Sequence, residues 1–408
     1  MKTIIIRGQV LDVHAGRFER KDIVIERDRI TSVDDQSAAA GKDDVVIDAA
    51  GKFILPGLID AHVHVTSATV DLATPQLPFT YIACCAAKNL GESLQRGFTT
   101  VRDVGGADFG LAMALDAGVI SGSRLFYCGR ALSQTGGHGD FRARTYDGDY
   151  GAPLQPSATS IGTIADGVTE VRRACRSELR KGASFIKIMA AGGVASPGDN
   201  VTDTQYSGSE LDAIVEEASA KSTYVAAHVY SSKSIQICLK HGVRTIEHGN
   251  LLDDETAAMM KEKGAFLIPT VITYDALTRR GAGYGFPKQS IEKLGSVRVN
   301  ALEAVRIARS KGVKIGFGTD LLGQLWEEQS NEFLLRASVE KPIDTIVSAT
   351  KINAEVLNQS GRLGEISPGA SADILVLRRN PLDDIAVLTD RDNIGVIMLA
   401  GRICKNTL

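Results

Sequence analysis

The chain has 408 residues, of which 44% are hydrophobic and 23% are charged, and its net charge at pH 7 is −3. This composition is that of a soluble globular protein, and the length favours a large domain with a smaller module over one ordinary core. The charge balance offers no basic surface for nucleic acid or for an anionic membrane, so we exclude both as partners.

Neither the N-terminal segment nor the cysteines indicate an exported protein. Residues 1–8 contain only three consecutive apolar residues, fewer than a signal peptide requires, and no segment has the roughly 20 apolar residues of a membrane span. The six cysteines include no C-x-x-C pair, and a chain of this size does not need disulfide bonds. We therefore expect reduced thiols and a cytoplasmic location.

The first fifty residues are predicted to form short strands. Segments 3–6, 22–26 and 45–48 are rich in isoleucine and valine, and polar turns that contain glycine separate them.

After residue 57 short apolar strands alternate with amphipathic helices, a pattern typical of a parallel sheet with helical crossovers. The predicted strands are 58–63, 99–104, 124–129, 184–189, 224–229, 243–248, 266–271 and 314–319. Several helices end in a glycine before the next strand, as expected for a left-handed cap. Eight β/α units over about 300 residues predict a (β/α)8 barrel at residues 57–361, with an open doubly wound sheet as the alternative.

The strand pattern returns near the C-terminus. Segments 372–377 and 396–399 are apolar, and Gly401 with Arg402 is predicted to form a tight turn between the last two strands. We expect residues 1–56 and 362–408 to form one small β-sandwich domain beside the barrel.

Potential metal ligands follow the predicted strands. The first strand ends in His62 and His64, whose spacing of two directs both side chains to the same side. The fifth, sixth and eighth strands end at His228, His248 and Asp320. Singly, such residues are more often core histidines or helix caps. Their joint placement at strand ends, where barrel enzymes build active sites, predicts a metal site.

Lys187 lies inside the apolar fourth strand. A buried cation is costly, so burial should depress the pKa of this amine. A neutral amine can react with carbon dioxide to give a carbamate, an anionic ligand whose two oxygens can bridge two metal ions. The alternative is a lysine paired with a carboxylate in the barrel interior, and the residue taken alone favours that alternative.

This set of residues resembles the amidohydrolase superfamily. The family pattern of H-x-H, lysine, two histidines and aspartate matches His62, His64, Lys187, His228, His248 and Asp320, and segments 53–60 and 361–373 resemble the family's entry into and exit from the barrel. The resemblance implies one metal on His62, His64 and Asp320, a second on His228 and His248, and carboxylated Lys187 between them. Imidazole and carboxylate ligands suit zinc, although other divalent metals remain open.

The resemblance also implies a reaction. A hydroxide that bridges the metals would attack an amide carbonyl, and Asp320 would take its proton and pass it to the leaving amine. His138, in the loop after the third strand, could donate a hydrogen bond to the carbonyl oxygen or its oxyanion. Tyr230, two residues after His228, could bind a substrate carboxylate with Arg142 or Arg144. Surface positions for His138 and the arginines are the alternative.

Segments 185–193 and 226–230 resemble imidazolonepropionase relatives and metal-dependent dipeptidases. Imidazolonepropionases and deaminases of this superfamily use one metal and lack the strand-four lysine, so Lys187 favours prolidase-like dipeptidases and carboxypeptidases that release a C-terminal amino acid. Hydrolysis of N-acyl amino acids, amide-linked mycotoxins or cyclic amides is the alternative, and an inactive scaffold is a third. The expected partners are a dipeptide or other small molecule and further copies of the chain. Segment 273–290 is left open as a lid or a flexible loop.

Overall fold

A computed structural model of the chain describes residues 2–35, 40–72, 77–142, 161–196 and 198–408. The strands are β1 (Thr3–Asp12), β2 (Arg17–Glu26), β3 (Arg29–Asp34), β4 (Val45–Asp48), β5 (Phe53–Pro56), β6 (Leu58–Val63), β7 (Phe98–Asp103), β8 (Arg124–Tyr127), β9 (Ala131–Ser133), β10 (Gly162–Ile164), β11 (Ile186–Met189), β12 (Val225–Ser231), β13 (Thr245–Leu251), β14 (Phe266–Ile268), β15 (Lys314–Ile315), β16 (Ile374–Leu377), β17 (Ile394–Leu399) and β18 (Arg402–Asn406).

The helices lie mainly between the middle strands. They are α1 (Phe79–Gln95), α2 (Phe109–Asp116), α3 (Gly167–Arg180), α4 (Gly208–Ser219), α5 (Ser232–Lys240), α6 (Asp254–Lys263), α7 (Val271–Arg280), α8 (Lys288–Arg298), α9 (Ala301–Ser310), α10 (Asn331–Arg336), α11 (Pro342–Val347) and α12 (Asn353–Val356). Within the described ranges, none of the helices has the length and apolar character needed to cross a membrane.

Two parallel sheets confirm the predicted β/α alternation. One has the order β6-β7-β8, and the other has the order β10-β9-β11-β12-β13-β14-β15. Main-chain hydrogen bonds also connect the three-stranded sheet, through β6 and β8, to residues next to β15 and β11. Ala61 N donates to Phe317 O over 2.8 Å, and Ser184 N donates to Tyr127 O over 2.8 Å.

A third, mixed sheet draws strands from both ends of the chain, in the order β18-β17-β16-β5-β1-β2-β3 with β4 beside β1. Because side chains alternate along a strand, Ile54 and Val376 lie in one apolar cluster while Leu55 and Leu375 lie in another. The second cluster also contains Phe98, so this sheet packs against the base of the parallel strands.

Several element boundaries differ from the prediction. Strands β3, β5, β9 and β10 were not predicted, and the last tight turn is formed by Ala400 and Gly401, which both have positive φ, while Arg402 is already in β18. The predicted glycine caps are confirmed, since the glycines before β7, β11, β13, β14 and β15 all have positive φ: Gly97, Gly182, Gly242, Gly264 and Gly312.

Candidate functional site

One cavity lies at the carboxyl ends of the parallel strands, and all six predicted metal ligands line it. They are His62, His64, Lys187, His228, His248 and Asp320. His62 is in β6, Lys187 in β11, His228 in β12 and His248 in β13, so four strands aim their side chains at the same space. Asp320 follows the last parallel strand, and its N–H donates to the carbonyl oxygen of His62 over 2.8 Å.

Asp320 is the centre of the most compact group of ligand atoms. Its Oδ1 lies 3.4 Å from His62 Nε2 and 3.3 Å from His64 Nε2. Ligand atoms of His62, His248 and Asp320 all lie within 4.8 Å of one another, close enough for one metal ion. His248 and Asp320 both have positive φ, 75° and 52°. A strained backbone at non-glycine residues is common where a functional site fixes the geometry.

Three of the histidines use Nδ1 for a hydrogen bond away from the cavity. His62 Nδ1 lies 2.8 Å from Glu247 Oε2, His64 Nδ1 lies 2.8 Å from Gly105 O, and His248 Nδ1 lies 2.8 Å from Thr270 Oγ1. Such bonds fix the tautomer and leave Nε2 as the ligand atom. Apart from Asp320 Oδ1 at 3.4 Å, the buried Nε2 of His62 has no hydrogen-bond partner in the described part of the chain, as expected for an atom that binds a metal.

Burial acts on the pKa of two of the ligand histidines, His228 and His248. It lowers the pKa of His228 and of His248 well below the ordinary value, and neighbouring imidazoles add to the effect. Asp320 shows the opposite balance: burial would raise the pKa of its carboxyl, but the imidazoles of His62 and His64 hold it well below the usual range. For His62, burial lowers the pKa of the imidazole, but the carboxylates of Asp320 and Glu247 outweigh it and leave the pKa raised. His228 and His248 thus have the neutral form, and Asp320 the ionised form, that metal ligands require.

Lys187 is 1% exposed, and its Nζ lies 3.7 Å from Met189 Sδ. Burial lowers the pKa of its amine, as the sequence predicted. The charge of Glu247 acts on Lys187, but this carboxylate is paired with Arg102 over 2.7 Å. Since Lys187 has no ion pair of its own among the described residues, the alternative of a lysine paired in the interior is the weaker one. A buried amine with depressed pKa is the form that reacts with carbon dioxide.

Two of the predicted substrate contacts lie in the cavity and one does not. His138 stacks on His228 with ring centroids 4.1 Å apart, and Tyr230 stacks on His248 at 5.2 Å. Arg142 is not among the residues that line the cavity, and its guanidinium pairs with Asp140 over 2.6 Å. Arg144 lies outside the described residues.

The rest of the cavity wall is largely apolar. Its apolar side chains come from several loops and from helices α7 and α8: Leu72, Ile161, Val194, Leu277, Phe286, Leu294 and Leu322. Helices α7 and α8 cover most of segment 273–290, so this segment is a helical hairpin packed over the site.

Glu247 and Arg102 support the site but were not predicted from the sequence. Both side chains are fully buried, and Arg102 Nη2 lies 2.7 Å from Glu247 Oε1. The other oxygen of Glu247 contacts His62, so an arginine, a glutamate and a metal-ligand candidate form one chain. The available signal was a charged residue within each of two predicted barrel strands, which became β7 and β13.

Comparisons with known proteins agree with this geometry. A model of the amidohydrolase family matches residues 53–404. The ochratoxinase of Aspergillus niger is 34% identical over 368 residues, which cover 86% of this chain and 75% of that protein. A solved prolidase complexed with N-methylphosphonate-L-proline is 44% identical with a TM-score of 0.97, and the alignment covers 100% of both chains. A solved Xaa-Pro dipeptidase with methionine in its active site is 29% identical, with a TM-score of 0.87 over 100% of both chains.

Proposed function

Because the chain belongs to the amidohydrolase family, we propose that it is a metal-dependent hydrolase that cleaves a peptide or related amide bond and releases a C-terminal amino acid. Xaa-Pro dipeptides are the first substrates to consider, given the similarity to a prolidase and to an Xaa-Pro dipeptidase. The observation that carries the proposal is the single cavity lined by all six potential metal ligands.

The ligand set suits two divalent ions, of which zinc is the best match. As the family pattern implies, His62, His64 and Asp320 would hold one ion and His228 and His248 the other, and carboxylated Lys187 would be a ligand of both. His248 also lies within 4.8 Å of the ligand atoms of His62 and Asp320, so the two ions would be close together. Among the described residues, His62 Nε2 contacts only another candidate ligand, Asp320, and the Lys187 amine bonds only to Met189 Sδ; both observations support this assignment. When bound, two such ions supply a water of lowered pKa and polarise the substrate carbonyl.

The chain's own residues would complete the reaction. Asp320, with a depressed pKa, is ionised at neutral pH and able to take a proton from the attacking water and deliver it to the leaving amine. Tyr230 would bind the substrate carboxylate through its hydroxyl, since Arg142 is directed to Asp140. The apolar residues of α7 and α8 would hold an apolar side chain and exclude water.

We also infer that the two parallel sheets close into one (β/α)8 barrel over residues 57–361. The hydrogen bonds of Ala61 with Phe317 and of Ser184 with Tyr127 support closure at both seams. Residues 1–56 and 362–408 would then form the accompanying β-domain, supported by the sheet that both ends share.

The alternative activity is hydrolysis of N-acyl amino acids or of an amide-linked mycotoxin. The apolar cavity wall and the similarity to an ochratoxinase favour it over cyclic-amide hydrolysis. Because every predicted ligand position is occupied by a competent side chain in one cavity, an inactive scaffold is the weakest of the proposals.

A substrate panel tests the proposed function. The zinc-loaded protein is assayed with Xaa-Pro dipeptides, other dipeptides and N-acyl amino acids, beside a His248→Ala variant. We expect release of the C-terminal amino acid from at least one class, and a loss of at least about 100-fold in the variant. Cleavage of N-acyl amino acids alone would select the alternative. Equal rates in both proteins, or no cleavage of any amide, would contradict the proposal.

A further inference from the structure

A chain of hydrogen bonds ends at the Nδ1 atom of His138. Its Nδ1 lies 2.8 Å from Ser196 Oγ, and Ser196 Oγ in turn contacts Asp199 Oδ1. The side chains of all three are almost fully buried, with 6%, 1% and 6% of their surface exposed. We propose that Ser196 and Asp199 are positioning residues that hold the His138 ring and fix its proton on Nδ1. This inference rests on the proposed function, in which His138 contacts the substrate.

The direction of the chain follows from the donors around Asp199. Its second oxygen, Oδ2, accepts from Gln205 Nε2 over 3.0 Å and from Gly193 N over 3.3 Å, and Lys293 Nζ lies 3.5 Å from Oδ1. A carboxylate surrounded by donors is itself the acceptor of the Ser196 hydroxyl proton. Ser196 has only that proton, so its oxygen accepts from His138 Nδ1–H.

This arrangement sets what His138 can offer a substrate. In a neutral imidazole, a proton on Nδ1 leaves Nε2 as an acceptor. A neutral His138 held in this way would offer Nε2 as an acceptor, for example to the N–H of a free amino group in a dipeptide. The donor role expected from the sequence requires the other tautomer.

Two further contacts hold the same loop in place. Lys293 of α8 donates to the carbonyl oxygens of Ser196 over 2.7 Å and Gly193 over 3.3 Å, and also to that of Asp199. Gly193 lies flat against the imidazole, since a Cβ added there would meet His138 Nδ1 at 2.0 Å. Helix α8 thus ties the loop after β11 to the hairpin that covers the cavity.

The tautomer can be measured without any substrate. Nitrogen NMR of the zinc-loaded full chain labelled at histidine distinguishes protonated from unprotonated ring nitrogens, and a His138→Asn variant assigns the signal. We expect a proton on Nδ1 in the wild-type protein and a shift to the Nε2–H form, or to a mixture, in Ser196→Ala. Ser196→Thr, which keeps the hydroxyl, should restore the wild-type signal.

Matched controls separate positioning from general damage. Ser310→Ala on α9 and Lys288→Met on α8 alter exposed residues and should leave the signal unchanged, whereas Lys293→Met should broaden or shift it. A proton on Nε2 in the wild-type protein would overturn the inference without the need for any variant. An unchanged tautomer in Ser196→Ala would also overturn it. Absence of peptidase activity would contradict the proposed function but not this inference.

Discussion

At the scale of single residues, the buried charges decide how the site is held. Arg102 and Glu247 are both fully buried and form an ion pair, and Glu247 also forms a hydrogen bond with Nδ1 of His62. Removing one partner of such a pair leaves an uncompensated charge and costs about 3–5 kcal/mol. A carboxylate that accepts from a ligand histidine also orients it, and its loss commonly weakens metal binding about 10- to 100-fold.

Glu247→Gln should therefore weaken both the fold and metal binding. The amide retains the shape of the side chain but leaves Arg102 without its counter-charge. We expect a lower melting temperature and metal affinity reduced by about 10- to 100-fold, measured by competition with a chelator. The control is Glu262→Gln at an exposed position of α6. If metal affinity were equal in the two variants, Glu247 would not orient His62.

Glu332 predicts a pH dependence of stability. Burial raises the pKa of its carboxyl to about 8, although Arg336 and the amide of Ile272 oppose the shift. Because this value lies above that of the unfolded chain, the contribution is complete below about pH 4 and is lost as the pH rises through 8. Denaturant unfolding at pH 5 to 9 should show a decline in stability that Glu332→Gln reduces by a few kcal/mol. A parallel decline in both proteins would contradict the assignment.

The ligand positions could be predicted from sequence because strand geometry is local. His62 and His64 share a side through their spacing alone, and the strand ends place His228 and His248 nearby. The contact between Arg102 and Glu247 joins positions 145 residues apart, so only the closed fold reveals it. The tautomer of His138 likewise depends on its hydrogen bond with Ser196, which lies in another loop.

At the scale of elements, the glycines that end helices allowed the start of the following strand to be predicted from the sequence. Gly264 ends α6 with φ of 66° and Gly295 lies within α8, and a Cβ at either would meet no atom within 4 Å. The same substitution is therefore expected to have opposite effects at the two positions, because only the backbone conformation differs.

Gly264→Ala should destabilise the protein by about 1 kcal/mol, since alanine is strained at positive φ. Gly295→Ala should stabilise it by about 0.5–1 kcal/mol, because alanine is the better helix former. Urea unfolding of both variants and of the wild-type protein measures the difference, and the measured activity should stay unchanged. Shifts of the same sign would contradict the backbone explanation.

The helices α7 and α8 could not be predicted from the local sequence. Glycines and prolines among polar residues gave segment 273–290 the composition of a loop. The helices form because Leu277, Phe286 and Leu294 pack on the cavity, and this burial depends on strands far away in sequence. Tertiary packing thus overrides the weak local propensity.

At the scale of the whole molecule, the shared terminal sheet and the site are connected through packing. Phe317 belongs to the cluster that contains Leu55 and Leu375, and it lies three residues before Asp320. Alternating strands and helices predicted the middle of the chain. The strands β3 and β5 were not predicted from the sequence alone. Short strands in a sheet built from both ends of the chain depend on partners that are distant in sequence.

Metal removal should destabilise the entire chain. Ligands on four strands and the loop after the last can bind a metal tightly only in the folded state, so binding stabilises that state by mass action. Dialysis against a chelator should lower the melting temperature by several degrees, and zinc should restore it. An unchanged melting temperature after complete metal removal, confirmed by elemental analysis, would contradict a site built across the fold.

The most direct test of the account is the number of metal ions bound per chain by the protein loaded with zinc in bicarbonate buffer. We expect about two ions for the wild-type protein and one or fewer for Lys187→Met, because the substitution removes the carbamate that would serve both ions. The carbamate itself should appear as bound carbon dioxide released on acidification. One ion per chain in both proteins would contradict the two-metal site and the role of Lys187.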